Sequence, residues 1–169
     1  VVGNNNFTVQ GRRMTEFVAE PSAGSSAFAP KQIDVEATNL QKLSLNGVAA
    51  TSGTLNLTKA NRLETLDLRG TKYGQVRMPA SPQLTVARFG GDMSTLSVSD
   101  MPALNTLTLD GYKKITSLSV RRCPLCDTKT LVQGCADNKA SLTSCSIDGI
   151  SWSNFAPTTL EYLTAVADC

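Results

Sequence analysis

Apolar residues along this chain fall into two short patterns that alternate. The first is L-x-x-L-x-L, a polar residue or glycine, then Gly. Its copies are Leu40-x-x-Leu43-x-Leu45-Asn46-Gly47, Leu63-x-x-Leu66-x-Leu68-Arg69-Gly70, Leu84-x-x-Ala87-x-Phe89-Gly90-Gly91, Leu104-x-x-Leu107-x-Leu109-Asp110-Gly111 and Leu142-x-x-Cys145-x-Ile147-Asp148-Gly149. From residues 40, 63, 84 and 104 the steps are 23, 21 and 20. The second pattern is shorter: Ile33-x-Val35, Leu55-x-Leu57, Val76-x-Met78, Leu96-x-Val98 and Leu118-x-Val120, with steps of 22, 21, 20 and 22. Two ladders that share one period of 20–23 residues are the mark of a solenoid.

Each pattern predicts a strand. Apolar residues two apart point to one face of an extended chain. The first Leu, three residues earlier, sits at the bend entering the strand, and the Gly that follows permits a turn with φ > 0. The positions between the apolar residues of the second pattern are Asp34, Asn56, Arg77, Ser97 and Ser119, all polar and expected to face outward. Pro79, Pro82, Pro102 and Pro124 fall at the corners, where a missing N–H costs no ladder bond. One coil cannot bury its own apolar side, but stacked coils share a core. The fold class is therefore mainly β: a right-handed solenoid of roughly five to six coils with parallel strands, about 25–30 Å tall at 4.8 Å per rung.

The pattern changes towards both ends. Residues 1–30 lack the repeat and read as an N-terminal cap or lead-in, in which NFTVQGRRMTEFVAE forms a strand or hairpin against the first coil. Residues 31–152 are the solenoid. Asp127 or Thr128 is a candidate helix cap, with Leu131, Val132 and Cys135 on one face of a short helix near 127–137 that replaces an outer strand. Thr158-x-x-Glu161 has capping-box spacing, and Leu160, Leu163 and Val166 predict a closing helix near 158–167 within a helical cap over 153–169, with Trp152 packed beneath.

The L-x-x-L-x-L core resembles the leucine-rich-repeat family over residues 33–150. The family's usual Asn or Cys after the strand is missing, and the second half of each repeat reads as a strand, so an irregular two-walled variant is expected. The stretch CPLCDTKTLVQGCADNKASLTSCSIDGISWSN, with the ITSLSV strand before it, also resembles the ends of leucine-rich segments in virion proteins of tailed phages from gut bacteria. There a strand runs into a short helix, an LTxxxIDGIxW strand and a closing helix. That resemblance implies a structural, non-catalytic protein-interaction module of a tail or baseplate-like virion protein. It names no site residues. A bacterial cell-surface adhesin module binding a protein or glycan is the alternative, with an extracellular location in place of the virion.

Composition narrows the chemistry. Sixteen Lys and Arg against fourteen Asp and Glu give a net charge of +2, mixed along the chain, which argues against a nucleic-acid binder. No apolar run is long enough to insert in a membrane. The chain starts at Val1 with no visible signal peptide, as a fragment or processed product would. Histidine is absent, which removes the commonest general base and zinc ligand, and no catalytic motif is present, so no enzyme and no cofactor is expected. The expected partner is a protein.

The candidate site residues are few. Cys123-Pro-Leu-Cys126 has zinc-knuckle spacing, with Cys135 and Cys145 able to complete four ligands. Against a metal, Cys145 takes the Leu slot of its copy and Cys123 matches Met101 in register, so both read as packing residues. One disulfide is a further alternative, but the odd count of five cysteines favours reduced thiols. The outward rows of the first pattern are Lys42/Thr65/Val86/Thr106/Ser144, Ser44/Asp67/Arg88/Thr108/Ser146 and Asn46/Arg69/Gly90/Asp110/Asp148. They read as a mostly solvated face, with Arg69 and Arg88 as its binding candidates and Asp67 paired to Arg88 across coils. Tyr73, Tyr112 and Lys113, just past the glycine turns, are the candidate edge contacts. Lys72, Arg77, Lys114, Arg121 and Arg122 make up the rest of the basic stretches and read as solubilising loops.

Overall fold

The computed structural model describes residues 6–20, 30–48, 53–91, 93–109, 115–137 and 141–150. Twelve strands and one helix are described. In chain order they are β1 (Asn6–Val9), β2 (Glu16–Val18), β3 (Gln32–Val35), β4 (Lys42–Ser44), β5 (Thr54–Asn56), β6 (Thr65–Thr71), β7 (Gln75–Arg77), β8 (Val86–Gly91), β9 (Thr95–Ser99), β10 (Thr106–Leu109), β11 (Ser117–Arg121), α1 (Thr128–Asp137) and β12 (Ser144–Asp148). They form two sheets. One runs β1-β3-β5-β7-β9-β11-β12, the other β10-β8-β6-β4-β2. Every pairing is parallel, so the chain winds from one wall to the other and back. The two sheets are the two sequence ladders. The solenoid makes about four turns, somewhat fewer than the five to six expected, and the winding that begins with β11 carries α1 where a second strand would follow.

The register places like residues in vertical files. On the first wall Leu43 lies beside Leu66, Leu66 beside Ala87 and Ala87 beside Leu107; Leu68, Phe89 and Leu109 form the next file. On the second wall Ile33, Leu55 and Val76 align, as do Val98, Val120 and Ile147. Apart from Val76 (6% exposed), Leu109 (4%) and the half-buried Ile147, these side chains are almost wholly removed from solvent. Burying one Leu or Phe side chain contributes roughly 2–3 kcal/mol, and the shared interior sums many of them.

The corners repeat as faithfully as the strands. The N–H of Leu40 donates to Ala37 O, Leu63 to Ala60, Leu84 to Ser81, Leu104 to Met101 and Cys126 to Cys123. The next residue in each winding then donates to the winding before: Gln41 to Thr15, Glu64 to Gln41, Thr85 to Glu64, Asn105 to Thr85 and Asp127 to Asn105. Cys126 therefore holds the slot of the first Leu, and Cys123 does match Met101. Gly47 and Gly70 stack at φ +78° and +71°, as the glycine-turn argument requires.

Three expectations need correction. The fifth copy of the first pattern, at Leu142, is on the other wall: β12 pairs with β11, Cys145 lying beside Leu118 and Ile147 beside Val120. Ser144, Ser146 and Asp148 leave the outward rows of the first wall with it. Accordingly α1 replaces a strand of the first wall, not the outer strand of the second. The reason is that both walls use the same apolar frame. Tyr73-x-x-Val76-x-Met78, Met93-x-x-Leu96-x-Val98 and Ile115-x-x-Leu118-x-Val120 bury a bend residue three positions before the strand pair, so Leu142-x-x-Cys145-x-Ile147 fits either wall. Finally, β1 and β2 are not a hairpin. They pair in parallel with β3 and β4 as the solenoid's own first winding, with the rings of Phe7 and Phe17 6.2 Å apart. The helix near 158–167 and Trp152 lie outside the described residues.

Candidate interaction face

The outer side of the first wall carries a cluster of one carboxylate and two guanidinium groups. Strand β6 alternates inward Leu66 and Leu68 with outward Thr65, Asp67 and Arg69. Asp67 is only 9% exposed although it points away from the core. The Arg69 guanidinium covers it, donating from Nη2 at 2.6 Å and from Nε at 3.0 and 3.2 Å, and the Arg69 backbone N–H adds a bond of 3.2 Å. Arg88, in register on β8, stands 4.0 Å from the same carboxylate. The cross-coil pair expected for Asp67 is thus secondary to the pair within its own strand. Burial acts to raise the Asp67 carboxyl, but the hydrogen bonds from Arg69 and the charges of Arg69 and Arg88 outweigh it and hold the group below the usual carboxylate range. Two guanidinium groups, 45% and 39% exposed at the side chain, flank this one carboxylate.

This face is less solvated than expected. Ser44, one winding before Asp67, is 6% exposed and donates its hydroxyl to Glu20 Oε1 at 3.1 Å. One winding after Arg88, Thr108 Oγ1 is buried and has no hydrogen-bond partner. In this row Glu20 hydrogen-bonds Ser44 and Arg69 hydrogen-bonds Asp67, while Arg88 stays partly exposed. The outer row is ordinary surface: Lys42 pairs with Glu16 at 2.5 Å, about half exposed on both sides.

The other candidates are placed elsewhere or differently. Tyr73 is not an edge contact. It fills the bend slot of the second wall, fully buried, and its hydroxyl donates to Pro30 O at 3.3 Å; burial pushes its phenol far above the ordinary tyrosine value. Tyr112 and Lys113 lie outside the described residues, as does Lys114. Arg121 and Arg122 are exposed but paired, with Asp148 (2.7 Å) and Asp100 (2.5 Å), across successive windings.

The described cysteines occupy packing positions of the repeat. Cys123, Cys126 and Cys135 are buried free thiols, and no cluster of three or more His, Cys, Asp or Glu occurs among the described residues. The C-x-x-C spacing is the spacing of the corner turn, the same as Ala37 to Leu40. Burial pushes the Cys126 thiol up to about 12 and the Cys135 thiol up to about 11, the opposite of a metal-binding or nucleophilic cysteine. Cys145 departs from the reduced state expected of it: it is disulfide-bonded.

A polar recess of about 480 Å³ was not anticipated. Gln10, Gly11, Arg12, Glu36 and Thr38 line it, at the corners of the first two windings. Glu36 is held there by Lys59 at 2.7 Å, and Asn39 donates to Arg12 O at 2.6 Å. Corner residues lie off the apolar period, so no sequence signal marks the recess.

No protein-family model matches this chain, and no curated protein or solved structure was found to be similar to it.

Proposed function

We propose that the chain is a non-catalytic structural module that holds a protein partner on its solenoid surface, as part of a tail or baseplate-like phage virion protein. The observation that carries the interaction role is the Asp67–Arg69–Arg88 cluster on the outer face of the first wall. Arginine is a favoured anchor at protein interfaces, and a guanidinium pair on a rigid sheet suits an acidic partner surface. The virion assignment is supported by resemblance: the succession of strand, short helix and strand over β11, α1 and β12 is the order expected for the ends of such leucine-rich segments. Antibodies raised against the chain test it. Labelling of purified phage particles supports the reading, whereas signal confined to the bacterial envelope overturns it.

One observation favours the second reading, a cell-surface adhesin module. The disulfide at Cys145 fits an exported protein better than one assembled in a reducing cytoplasm. On that reading the chain resides outside the cell, and the same arginine cluster meets a host protein or an acidic glycan. Envelope labelling is its expected result.

A further inference from the structure

Two corners build the polar recess of the first two windings. Gln10 follows β1 and Glu36 follows β3, and the register that sets Val9 beside Val35 sets these two residues side by side. Glu36 N–H donates to Val9 O at 2.8 Å across the windings. Buried Ala37 separates the exposed Glu36 and Thr38, both of which line the recess. Gly11 and Arg12 complete the lining. Their turn is pinned twice: Met14 N–H donates to Gly11 O at 3.3 Å, and the Asn39 amide donates to Arg12 O at 2.6 Å. The backbone that carries Arg12 is therefore already held to the next winding, which lowers the ordering cost of binding there.

The charges around the recess do not cancel. Glu36 is matched by Lys59 of the third winding at 2.7 Å. Among the described residues, no hydrogen bond or ion pair occupies the Arg12 guanidinium, the Gln10 side-chain amide or the Thr38 hydroxyl. A guanidinium with uncommitted N–H donors suits a carboxylate or a phosphate. The other three groups suit hydroxyls: the amide and the threonine both donate and accept, and the Glu36 oxygens accept.

We propose that this recess binds an acidic sugar unit, a uronic acid whose carboxylate lies on Arg12 and whose hydroxyls are shared among Gln10, Thr38 and Glu36. A neutral sugar leaves Arg12 unused. Phosphate presents anionic oxygens on every side, so one of them faces the Glu36 carboxylate, whereas a uronic acid carries its charge at one end and hydroxyls at the other. The volume of about 480 Å³ lies within the range of small-molecule sites, roughly 300–1,000 Å³. The site shares no residue with the Asp67–Arg69–Arg88 cluster and stands under either functional reading.

Titration of the isotope-labelled chain with sodium D-glucuronate, followed by nuclear magnetic resonance, tests the proposal. The expected result is saturable shifts of the Gln10 side-chain amide, the Arg12 Nε–H and the Thr38 backbone N–H, with half-saturation on the order of millimolar. D-glucose and inorganic phosphate should each bind about tenfold more weakly or not at all. Arg12→Ala should weaken glucuronate binding about tenfold, and Thr38→Val about threefold. Arg12→Ala keeps the backbone carbonyl that Asn39 holds, so the melting midpoint should not move. Hyaluronan fragments separate two sources of the ligand: shifts of the same signals assign the unit to a glycan chain, and shifts with the free acid alone assign it to a small metabolite. Absence of saturable shifts at these signals, equal affinity for glucose or phosphate, or unchanged affinity in Arg12→Ala overturns the inference.

Discussion

Single side chains in this fold are decided by the file they occupy. Leu66 lies between Leu43 and Ala87 with no exposed surface, so Leu66→Asp places an uncompensated carboxylate in the common interior. The cost is several kcal/mol, comparable to the whole stability of a domain this size, and cooperative melting should disappear. A soluble variant with a sharp melting transition would show that the register is wrong. Tyr73→Phe removes a buried donor to Pro30 O and should cost about 1–2 kcal/mol in urea unfolding, with no effect on partner binding. Because burial raises the folded-state phenol, the unfolded chain releases its proton first as pH rises. Stability contributed at this position is constant below about pH 10 and falls above it, a decline that Tyr73→Phe should lessen. Thr108→Val tests the opposite case. It replaces a hydroxyl with no partner by a methyl of similar shape, so it should be neutral or stabilising by up to about 1 kcal/mol. A loss of more than that in urea unfolding would mean the hydroxyl is satisfied.

At the level of elements, α1 shows most clearly what the sequence could and could not convey. Its existence and span were legible from Asp127, Leu131 and Cys135; the Asp127 carbonyl accepts from Leu131 N–H, and the Asp127 side chain accepts from the Thr130 hydroxyl. Its place was not legible, since an apolar frame common to both walls does not say which wall a copy joins. Only the backbone ladder, with Asp127 N–H on Asn105 O, seats the helix where a first-wall strand would follow. Gly134 was equally silent in the sequence. A Cβ there would lie 2.6–3.0 Å from Leu109 side-chain atoms, so the glycine lets the helix backbone rest directly on the last strand of the first wall. Gly134→Ala sets a gain in helix propensity of about 1 kcal/mol against overpacking that costs about 1–3 kcal/mol. The contact should win, giving a lower melting midpoint; a stabilised variant would show that α1 does not pack on Leu109. The candidate site was legible in part for the same reason. Outward Asp67, Arg69 and Arg88 follow from strand alternation, whereas the burial of Tyr73 required knowing that the second wall also has a bend slot.

For the whole molecule, the charges on the outer faces matter less than the interior they surround. Most ion pairs between windings, such as Arg121–Asp148 and Arg122–Asp100, are about half exposed and contribute little individually. Asp67 is the exception because it is covered. Its carboxyl is held below the unfolded value, so its contribution is present above about pH 4 and is lost as pH falls through the folded-state value. Acid titration of stability should show this loss in the wild type and a smaller one in Asp67→Asn. What defines the molecule is the order in which the windings stack. Leu68 of β6 and Leu109 of β10 lie on the same wall but two windings apart, and Phe89 of β8 stands between them. Nuclear Overhauser contacts from the Phe89 ring measure that order directly. Strong contacts to the methyl groups of both Leu68 and Leu109, from one ring, are the predicted result. A ring that touches only one of them, or direct strong contacts between Leu68 and Leu109 that bypass it, would contradict the stacked parallel fold.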